Sequence, residues 1–152
     1  MFSHYVLGLA IGMAPAATWI AIRGELHLLA VVWSVGLMFY IAGFDILYSC
    51  QDADFDRESG LHSLPSRIGI GPSLWLARLS HVAALLLFVL AGMMSKSGTV
   101  FYATTFVVGM LFFIEHFLVR GGRLEKIPVA FFNVNAAISS ILFFGLLIDM
   151  VV

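Results

Sequence analysis

Long apolar stretches separated by short polar breaks dominate the pattern of this chain. Five of these stretches are long enough to cross a hydrocarbon core, which takes about 20 helical residues. The breaks between them hold charged residues, glycine and proline, which are typical of helix ends. The pattern therefore predicts five membrane-spanning helices, over residues 2–22, 28–49, 73–94, 100–119 and 129–152. One connection, residues 50–72, is long, and we expect a short helical segment within it.

Composition decides the class of protein. The chain is 61% hydrophobic and only 11% charged, whereas soluble domains carry about 25% charged residues. A water-facing surface cannot be built from so few charges, which excludes a soluble enzyme or a nucleic-acid-binding protein. The fold class that follows is an all-α integral membrane bundle, with residues 1–152 as a single transmembrane domain. The single cysteine, Cys50, excludes an internal disulfide.

Lysine and arginine predict the orientation, because positive charge is concentrated in cytoplasmic connections. With five spans, the connections at 50–72 and 120–128 lie on one side, and Arg78 lies just inside the membrane from that side. The opposite side has only Arg23 and Lys96. The richer side carries Arg57, Arg67, Arg120, Arg123 and Lys126. We therefore expect a multi-pass protein, in the inner membrane if bacterial, with the long connection in the cytoplasm.

Three carboxylates, Asp52, Asp54 and Asp56, lie close together in that cytoplasmic connection, against the positive bias of their own side. Unpaired acidic groups next to hydrocarbon are costly, so the cluster predicts a bound cation. Asp52 and Asp56 have helical i, i+4 spacing, which places their Cβ atoms about 5–6 Å apart. Tyr48 lies one turn earlier on the same stripe. Such a face suits a hard divalent ion with a phosphate-bearing ligand carried on it.

Other interpretations of the cluster remain open at this point. It could be a solvated connection between two spans. A calcium loop matches at its first, third and fifth positions but fails at Arg57, where glycine is needed, and at Ser63, where the bidentate glutamate belongs. The glycines that follow form no nucleotide-binding pattern. A cation-transport element would need acidic residues that continue through the bilayer midplane, and the sequence has none there.

A resemblance to a known family lies in the run Asp45-Ile-Leu-Tyr48-Ser-Cys-Gln51-Asp52-Ala-Asp54-Phe-Asp56, followed by Gly60-Leu-His-Ser63-Leu-Pro-Ser-Arg67-Ile-Gly69. It resembles the second aspartate-rich motif of the UbiA-type intramembrane prenyltransferases. The version here is most similar to 4-hydroxybenzoate polyprenyltransferases and their menaquinone-pathway relatives. The run Ala130-Phe131-Phe132-x-x-Asn135, with Ser139, is similar to the family's final helix. The resemblance therefore covers essentially the whole chain.

The resemblance implies a Mg²⁺-dependent transfer of a polyprenyl group from polyprenyl diphosphate to an aromatic acceptor. The acceptor would be 4-hydroxybenzoate or a naphthoate, in ubiquinone or menaquinone biosynthesis. It implies that Asp52 and Asp56 bind the metal and that these two, with Tyr48, are the catalytic residues. The substrate-binding residues that we expect are Asp45, Gln51, Asp54, His62, Ser63, Arg67 and Asn135. Asp45 shares a face with Tyr48 through i, i+3 spacing, but it could instead be a snorkelling or paired residue at the helix end. For Arg67, a cytoplasmic anchor is the alternative to contact with the diphosphate.

The sequence departs from the family pattern in its extent. Its predicted spans correspond to the C-terminal half of family members, and the first aspartate-rich motif of the N-terminal half is not in this sequence. We therefore expect this partial chain to be inactive by itself and to need an N-terminal half or a partner chain. The alternative is a non-catalytic membrane subunit or fragment that completes its site with a partner carrying the first motif.

Some polar and small residues within the spans have more than one interpretation. Glu115 and His116 lie near Arg120, so we expect an intrahelical contact with this arginine or pairing with lipid head groups, with a substrate role as the alternative. For Asn135, interhelical hydrogen bonding and contact with the pocket both remain open. The small residues Gly8, Gly12 and Ala16 repeat every fourth position, a pattern that permits close helix contact.

Overall fold

A computed structural model of the protein describes residues 3–121 and 124–152, so Arg123 lies outside the described residues. All regular elements in this part of the chain are helical. The α-helices are α1 Ser3–Gly12, α2 Ala14–Arg23, α3 Leu28–Ser49, α4 Ala53–Glu58, α5 Leu64–Ile68, α6 Ile70–Ser95, α7 Thr99–Leu118 and α8 Asn135–Asp149. Short 3₁₀ helices cover Cys50–Asp52 and Leu124–Lys126, and a π-helix covers Val129–Val134.

The five predicted spans are confirmed. Candidate membrane-spanning helices cover Ser3–Arg23, Leu28–Glu58, Ile70–Ser95, Thr99–Leu118 and Phe132–Asp149. The bounds of α3 are those that the sequence predicts. The first span is divided into α1 and α2 at Met13, because Pro15 has no N–H to donate to the carbonyl of Ile11, four residues earlier. The long connection contains two short helices rather than the one expected.

The spanning helices pack side by side in chain order. Helix α3 lies between α1 and α6, α6 packs on α7, and α7 packs on α8. One apolar core lies among α3, α6, α7 and the last span, and it is built from Tyr40, Phe44, Ala84, Phe88, Val108, Phe112, Val134 and Ile138. A second core lies at the end of the bundle where α3 ends and α6 begins. It contains Ile46, Leu47, Cys50, Leu64, Leu74, Ala77, Val119 and Ile127.

Small residues bring α1 and α2 close to α3, as their spacing predicts. A Cβ atom on Gly8 or Gly12 would overlap the α3 backbone at Met38. The amide of Ala16 donates a hydrogen bond to Ser34 Oγ over 3.0 Å. The side of the bundle that faces away from these contacts is apolar, with side chains such as Leu86 and Phe106 largely exposed. This is the arrangement expected of a protein whose solvent is lipid.

The connections lie at two distinct ends of the bundle. Arg120 and Gly121, which follow α7, line the same small cavity as Ile70 and Gly71, which begin α6. The long connection and the connection after α7 therefore lie at one end, as predicted. At the other end, the carboxylate of Asp149 accepts hydrogen bonds from the amides of Gly98 and Phe101, each over 2.9 Å. Asp149 thus satisfies free amides at the N-terminus of α7.

Candidate functional site

The acidic segment, residues 52–58, continues the direction of α3 beyond a single 3₁₀ turn. Helix and turn together form one apolar span, Leu28–Glu58. Cys50 and Ala53 are buried and hold the inner face of this continuation against the core. Because the helical period places Asp52 on the other face, its carboxylate is exposed. The segment is therefore anchored by its apolar residues and presents its acidic residues outward.

The three aspartates of the acidic segment differ in their contacts. Asp54 is paired with Arg57, whose Nη1 lies 2.8 Å from the Asp54 Oδ1. Asp52 precedes α4 at its N-cap position, yet its carboxylate does not bond the helix amides. Asp56 is half-buried. Among the described residues, neither Asp52 nor Asp56 has an ion pair or a side-chain hydrogen bond. The two carboxylates predicted to bind metal are therefore the two that have no protein partner there.

The chain folds back after the acidic segment. Gly60 has a positive φ of 70°, which glycine adopts without strain. Ser63 caps α5, its Oγ accepting a hydrogen bond from the amide of Ser66 over 3.4 Å. His62 and Arg67 are exposed on either side of this cap. The structure thus gives Ser63 a helix-capping contact and leaves both basic side chains accessible.

A histidine that sequence reasoning missed holds this return in place. His4, in α1, is 5% exposed. Its Nδ1 lies 2.6 Å from Asp45 Oδ2, and its Nε2 accepts a hydrogen bond from the amide of Leu64 over 3.4 Å. One ring nitrogen accepts, so the other carries the proton that is donated to Asp45. His4 therefore connects α1, α3 and the start of α5, and Asp45 is a partner in that connection.

Tyr48 contacts the last span, and Gln51 directly precedes the acidic segment. The ring of Tyr48 meets Phe132 edge to face, with ring centroids 6.4 Å apart. Gln51 is half-buried, and its Nε2 is buried without a hydrogen-bond partner among the described residues. An unsatisfied buried donor next to two free carboxylates is the kind of group that a bound ligand satisfies.

Asn135 belongs to a different level of the bundle. Its Oδ1 accepts a hydrogen bond from Tyr40 Oη over 2.6 Å, and Ser139 Oγ lies 3.1 Å from the same hydroxyl. Tyr40 precedes Tyr48 by eight residues, about 12 Å along α3. Tyr48, Gln51 and the free aspartates thus lie on consecutive helical elements, from the end of α3 through the 3₁₀ turn to α4, and Asn135 makes an interhelical hydrogen bond at a separate level.

A second polar cluster lies inside the bundle, and we name it the buried triad: His81 of α6 with Glu115 and His116 of α7. His81 Nδ1 lies 3.1 Å from His116 Nε2 and 3.3 Å from Glu115 Oε2. His81 and Glu115 are buried, and the His81 ring stacks on Phe112 with centroids 4.4 Å apart. Glu115 faces His81 and makes no ion pair with Arg120 in the described part of the chain, contrary to the sequence-based expectation.

Sequence reasoning missed this triad because its members are 34 and 35 residues apart along the chain. A usable signal was present, since ionisable residues inside membrane spans are rare and usually functional. His81 in one span and Glu115 with His116 in another are three such residues. Their convergence depends on how α6 packs against α7, which the sequence pattern alone does not state.

A groove on the membrane-facing side adjoins the triad. It lies between α6 and α7, with a volume of about 660 Å³, and its apolar walls include Leu85 and Phe117. Its polar lining comes from Arg78, His81, His116 and Arg120. The acidic segment lines neither this groove nor the smaller cavity at the end of α6. The two candidate sites of the molecule are therefore spatially separate.

Comparison with known proteins gives consistent matches. A family profile described as the UbiA prenyltransferase family matches residues 1–141. The chain is 27% identical to a 4-hydroxybenzoate octaprenyltransferase of Citrobacter koseri, over 96% of this chain and 50% of that protein. It is 29% identical to the protein of the same name from Yersinia pseudotuberculosis, over 95% of this chain and 49% of that protein.

Similarity extends to a solved structure. The apo structure of a UbiA homolog from Aeropyrum pernix K1 superposes with a TM-score of 0.79 and 25% sequence identity, covering 97% of this chain and 55% of that one. The chain spans about half the length of the curated relatives that it matches.

Proposed function

The chain belongs to the UbiA prenyltransferase family, and from this premise we propose that it serves Mg²⁺-dependent transfer of a polyprenyl group. The donor is polyprenyl diphosphate and the acceptor an aromatic acid, 4-hydroxybenzoate or a naphthoate, in the synthesis of ubiquinone or menaquinone. The single observation that carries the proposal is the difference between the aspartates of the acidic segment. Asp54 is paired with Arg57, whereas Asp52 and Asp56 have no partner among the described residues.

The carboxylate oxygens of the acidic segment are suitable ligands for Mg²⁺. Mg²⁺ prefers oxygen ligands, keeps several waters and is usually held by one or two carboxylates together with substrate phosphate oxygens. Asp52 is exposed and Asp56 is half-buried, so water and a diphosphate have access to both. When bound, the metal would neutralise the diphosphate as the allylic C–O bond breaks.

We assign distinct roles to the neighbouring side chains. Asp52 and Asp56 are the metal ligands, and Tyr48 presents its phenol and ring to the reacting groups beside Phe132. Gln51 offers an unpaired amide donor, and Arg67 offers an exposed guanidinium that matches phosphate oxygens. Asp45 acts through its bond with His4, which fixes α1 against the return to α5.

His62, Ser63, Asp54 and Asn135 take lesser places in this proposal. His62 is exposed next to the helix cap that Ser63 makes, where it can reach a bound diphosphate. Asp54 orients Arg57 at the rim. Asn135 fixes the last span against α3 through its hydrogen bond with Tyr40. It therefore contributes to helix packing rather than to the metal site.

The chain forms a single transmembrane domain that corresponds to the C-terminal half of its relatives, in this proposal. The acidic segment faces the cytoplasm, in the inner membrane if the source is bacterial. The other half of the substrate clamp, with a first aspartate-rich motif, comes from an N-terminal half or a partner chain. The chain is therefore inactive alone.

Complementation by halves tests the proposal. The chain is expressed alone and together with the remaining half of the Citrobacter koseri relative, and membranes receive polyprenyl diphosphate, 4-hydroxybenzoate or a naphthoate, and Mg²⁺. We expect prenylated product only from the pair. In the active pair, Asp52→Asn and Asp56→Asn each lower the rate by about 100-fold or more, the scale for losing one electrostatic stabiliser.

Glu58→Gln is the matched control, since Glu58 is an exposed carboxylate of the same short helix. It should leave the rate unchanged. Removing Mg²⁺ with a chelator should abolish the product, and adding it back should restore the product. Full activity of the Asp52 and Asp56 variants would refute the assignment of the metal ligands.

A further inference from the structure

The buried triad has ligand chemistry that the proposed function does not use. Glu115 and His81 are 0% and 1% exposed, so they are already enclosed by the described residues. Both oxygens of Glu115 are buried without a hydrogen-bond partner in that part of the chain. A buried carboxylate in this state is costly unless a cation or donors satisfy it.

A network of protons alone leaves this cluster unsatisfied. His81 Nδ1 faces two groups at once, His116 Nε2 at 3.1 Å and Glu115 Oε2 at 3.3 Å. That nitrogen offers either one proton or one lone pair, so it can bond only one of the two groups fully, whether Glu115 is ionised or protonated. A positive centre among the three atoms satisfies all of them together.

The spacing matches a transition-metal site. Zn²⁺ binds histidine nitrogens and carboxylate oxygens at about 2.0–2.1 Å, so the ligand atoms of a tetrahedral site lie about 3.3 Å apart. Two of the three separations in the triad, 3.1 and 3.3 Å from His81 Nδ1, are close to that edge length. One ligand atom from each of the three residues lies within 4.8 Å of the others. Two imidazoles with one carboxylate are a common ligand set for divalent zinc or iron.

We propose that His81, Glu115 and His116 form a second metal site, which binds a divalent transition-metal ion of the zinc class and links α6 to α7. The site lies one turn before the end of α7 and roughly 16 Å along α6 from its first residue. His81 and His116 line the groove between these helices, which gives an ion a path to the site. The inference is independent of the proposed function.

Metal analysis tests this site without an activity assay. The chain is produced with Zn²⁺ in the medium, purified through a tag without histidine, and analysed by mass spectrometry for bound metals. We expect about one zinc per chain, with at least a tenfold loss in His81→Ala and Glu115→Gln. Replacement by Co²⁺ should give the intense visible bands of a tetrahedral site in the wild type and not in these variants.

Two controls separate this site from the acidic segment and from general effects. His27→Asn changes an exposed histidine on the connection before α3, and it should retain the zinc. Asp52→Asn should also retain the zinc, even though the proposed function expects it to lower prenyl transfer by about 100-fold or more. Added Zn²⁺ should raise the thermal midpoint of the wild type and of both controls, because a ligand that binds only the folded state stabilises it.

The wild type alone can overturn the proposal if the triad variants do not fold. Absence of zinc and of a Co²⁺ spectrum in the folded wild type would refute the site and favour a protonated Glu115. Retention of zinc by well-folded His81→Ala and Glu115→Gln would also refute it, by placing the ion elsewhere.

Discussion

The acidic segment and the buried triad both carry side chains that can bind a cation, and they do so in opposite surroundings. In the acidic segment, Asp52 is exposed on a short helix beyond the end of α3. In the triad, Glu115 is 0% exposed between two packed spans. Exposed carboxylates can exchange ligands and contribute little to folding, whereas a buried set is enclosed by the fold and strongly affects its stability.

This difference in exposure matches the different roles that we propose for the two sites. A site that must accept and release a large charged substrate needs accessible groups. A site that holds one ion between two helices needs groups that packing fixes in place, as α6 and α7 fix His81 and Glu115. The contrast can be tested by making equivalent changes in both regions.

The largest expected effect comes from charge reversal. Glu115→Lys places an ammonium among two imidazoles where it has no partner, and we expect it to destabilise the bundle by about 3–5 kcal/mol. The matched change Asp52→Lys should leave the thermal midpoint nearly unchanged, because its side chain is exposed. The thermal midpoint of each variant in detergent, with size-exclusion chromatography to detect the folded protein, measures both effects. Equal losses would remove the distinction between the two regions.

A smaller effect is expected where α3 approaches the triad. A Cβ atom on Gly43 would overlap the His81 ring, so Gly43→Ala must displace the imidazole, at a cost of about 2 kcal/mol. It should also lower the zinc content. Gly71→Ala is the control, because a Cβ there meets nothing within 4 Å; it should be neutral or slightly stabilising. A fully stable, zinc-replete Gly43→Ala protein would contradict the tight fit of His81.

The connection beneath the acidic segment should show a still smaller effect. A double-mutant cycle with His4→Ala and Asp45→Asn should give a coupling energy of about 1.5 kcal/mol, typical of a hydrogen bond to a charged group. Hydrogen exchange should also speed up around Leu64, whose amide bonds His4. Ser3→Ala, an exposed neighbour, is the control. Additive losses would mean that the two side chains do not interact.

The smallest effect is expected at the surface pair of the acidic segment. The Asp54 and Arg57 side chains are 81% and 56% exposed, so a cycle with Asp54→Asn and Arg57→Gln should give less than about 0.5 kcal/mol. Added salt should reduce it further, because solvent-exposed charges are screened. A large, salt-insensitive coupling would show that this segment is more enclosed than its exposure indicates.

Much of the fold could be predicted from the sequence because lipid imposes a simple rule on it. Every span must be apolar and helical, so α3 appears in the pattern with its observed bounds. The division of the first span at Met13 was not predicted, although Pro15 explains it. The order of packing, with α3 between α1 and α6, does not follow from hydropathy. The faces of a spanning helix that pack on other helices are apolar, and so are the faces that contact lipid, so hydropathy does not tell them apart.

In the candidate site, features that depend on neighbours along the chain could likewise be predicted, whereas contacts between distant residues could not. Asp52, Asp56 and Tyr48 are local in the chain, so helical spacing alone predicts them on one stripe, although the structure places a 3₁₀ turn between Tyr48 and Asp56. The partner of Asp45 could not be predicted, because His4 lies 41 residues away. The interpretation of Glu115 as a partner of Arg120 was wrong for the same reason: the nearest cation along the chain is not the nearest group in space.

The sequence by itself determined the class of protein, its five spans and the run of carboxylates for which we propose a metal, because each of these depends on composition or on neighbours along the chain. Only the tertiary structure decided which aspartate is already paired, which histidine holds the return after the acidic segment, and that His81 meets Glu115. These contacts depend on which faces of separate helices pack together, and a bilayer stabilises many such arrangements almost equally until close packing selects one.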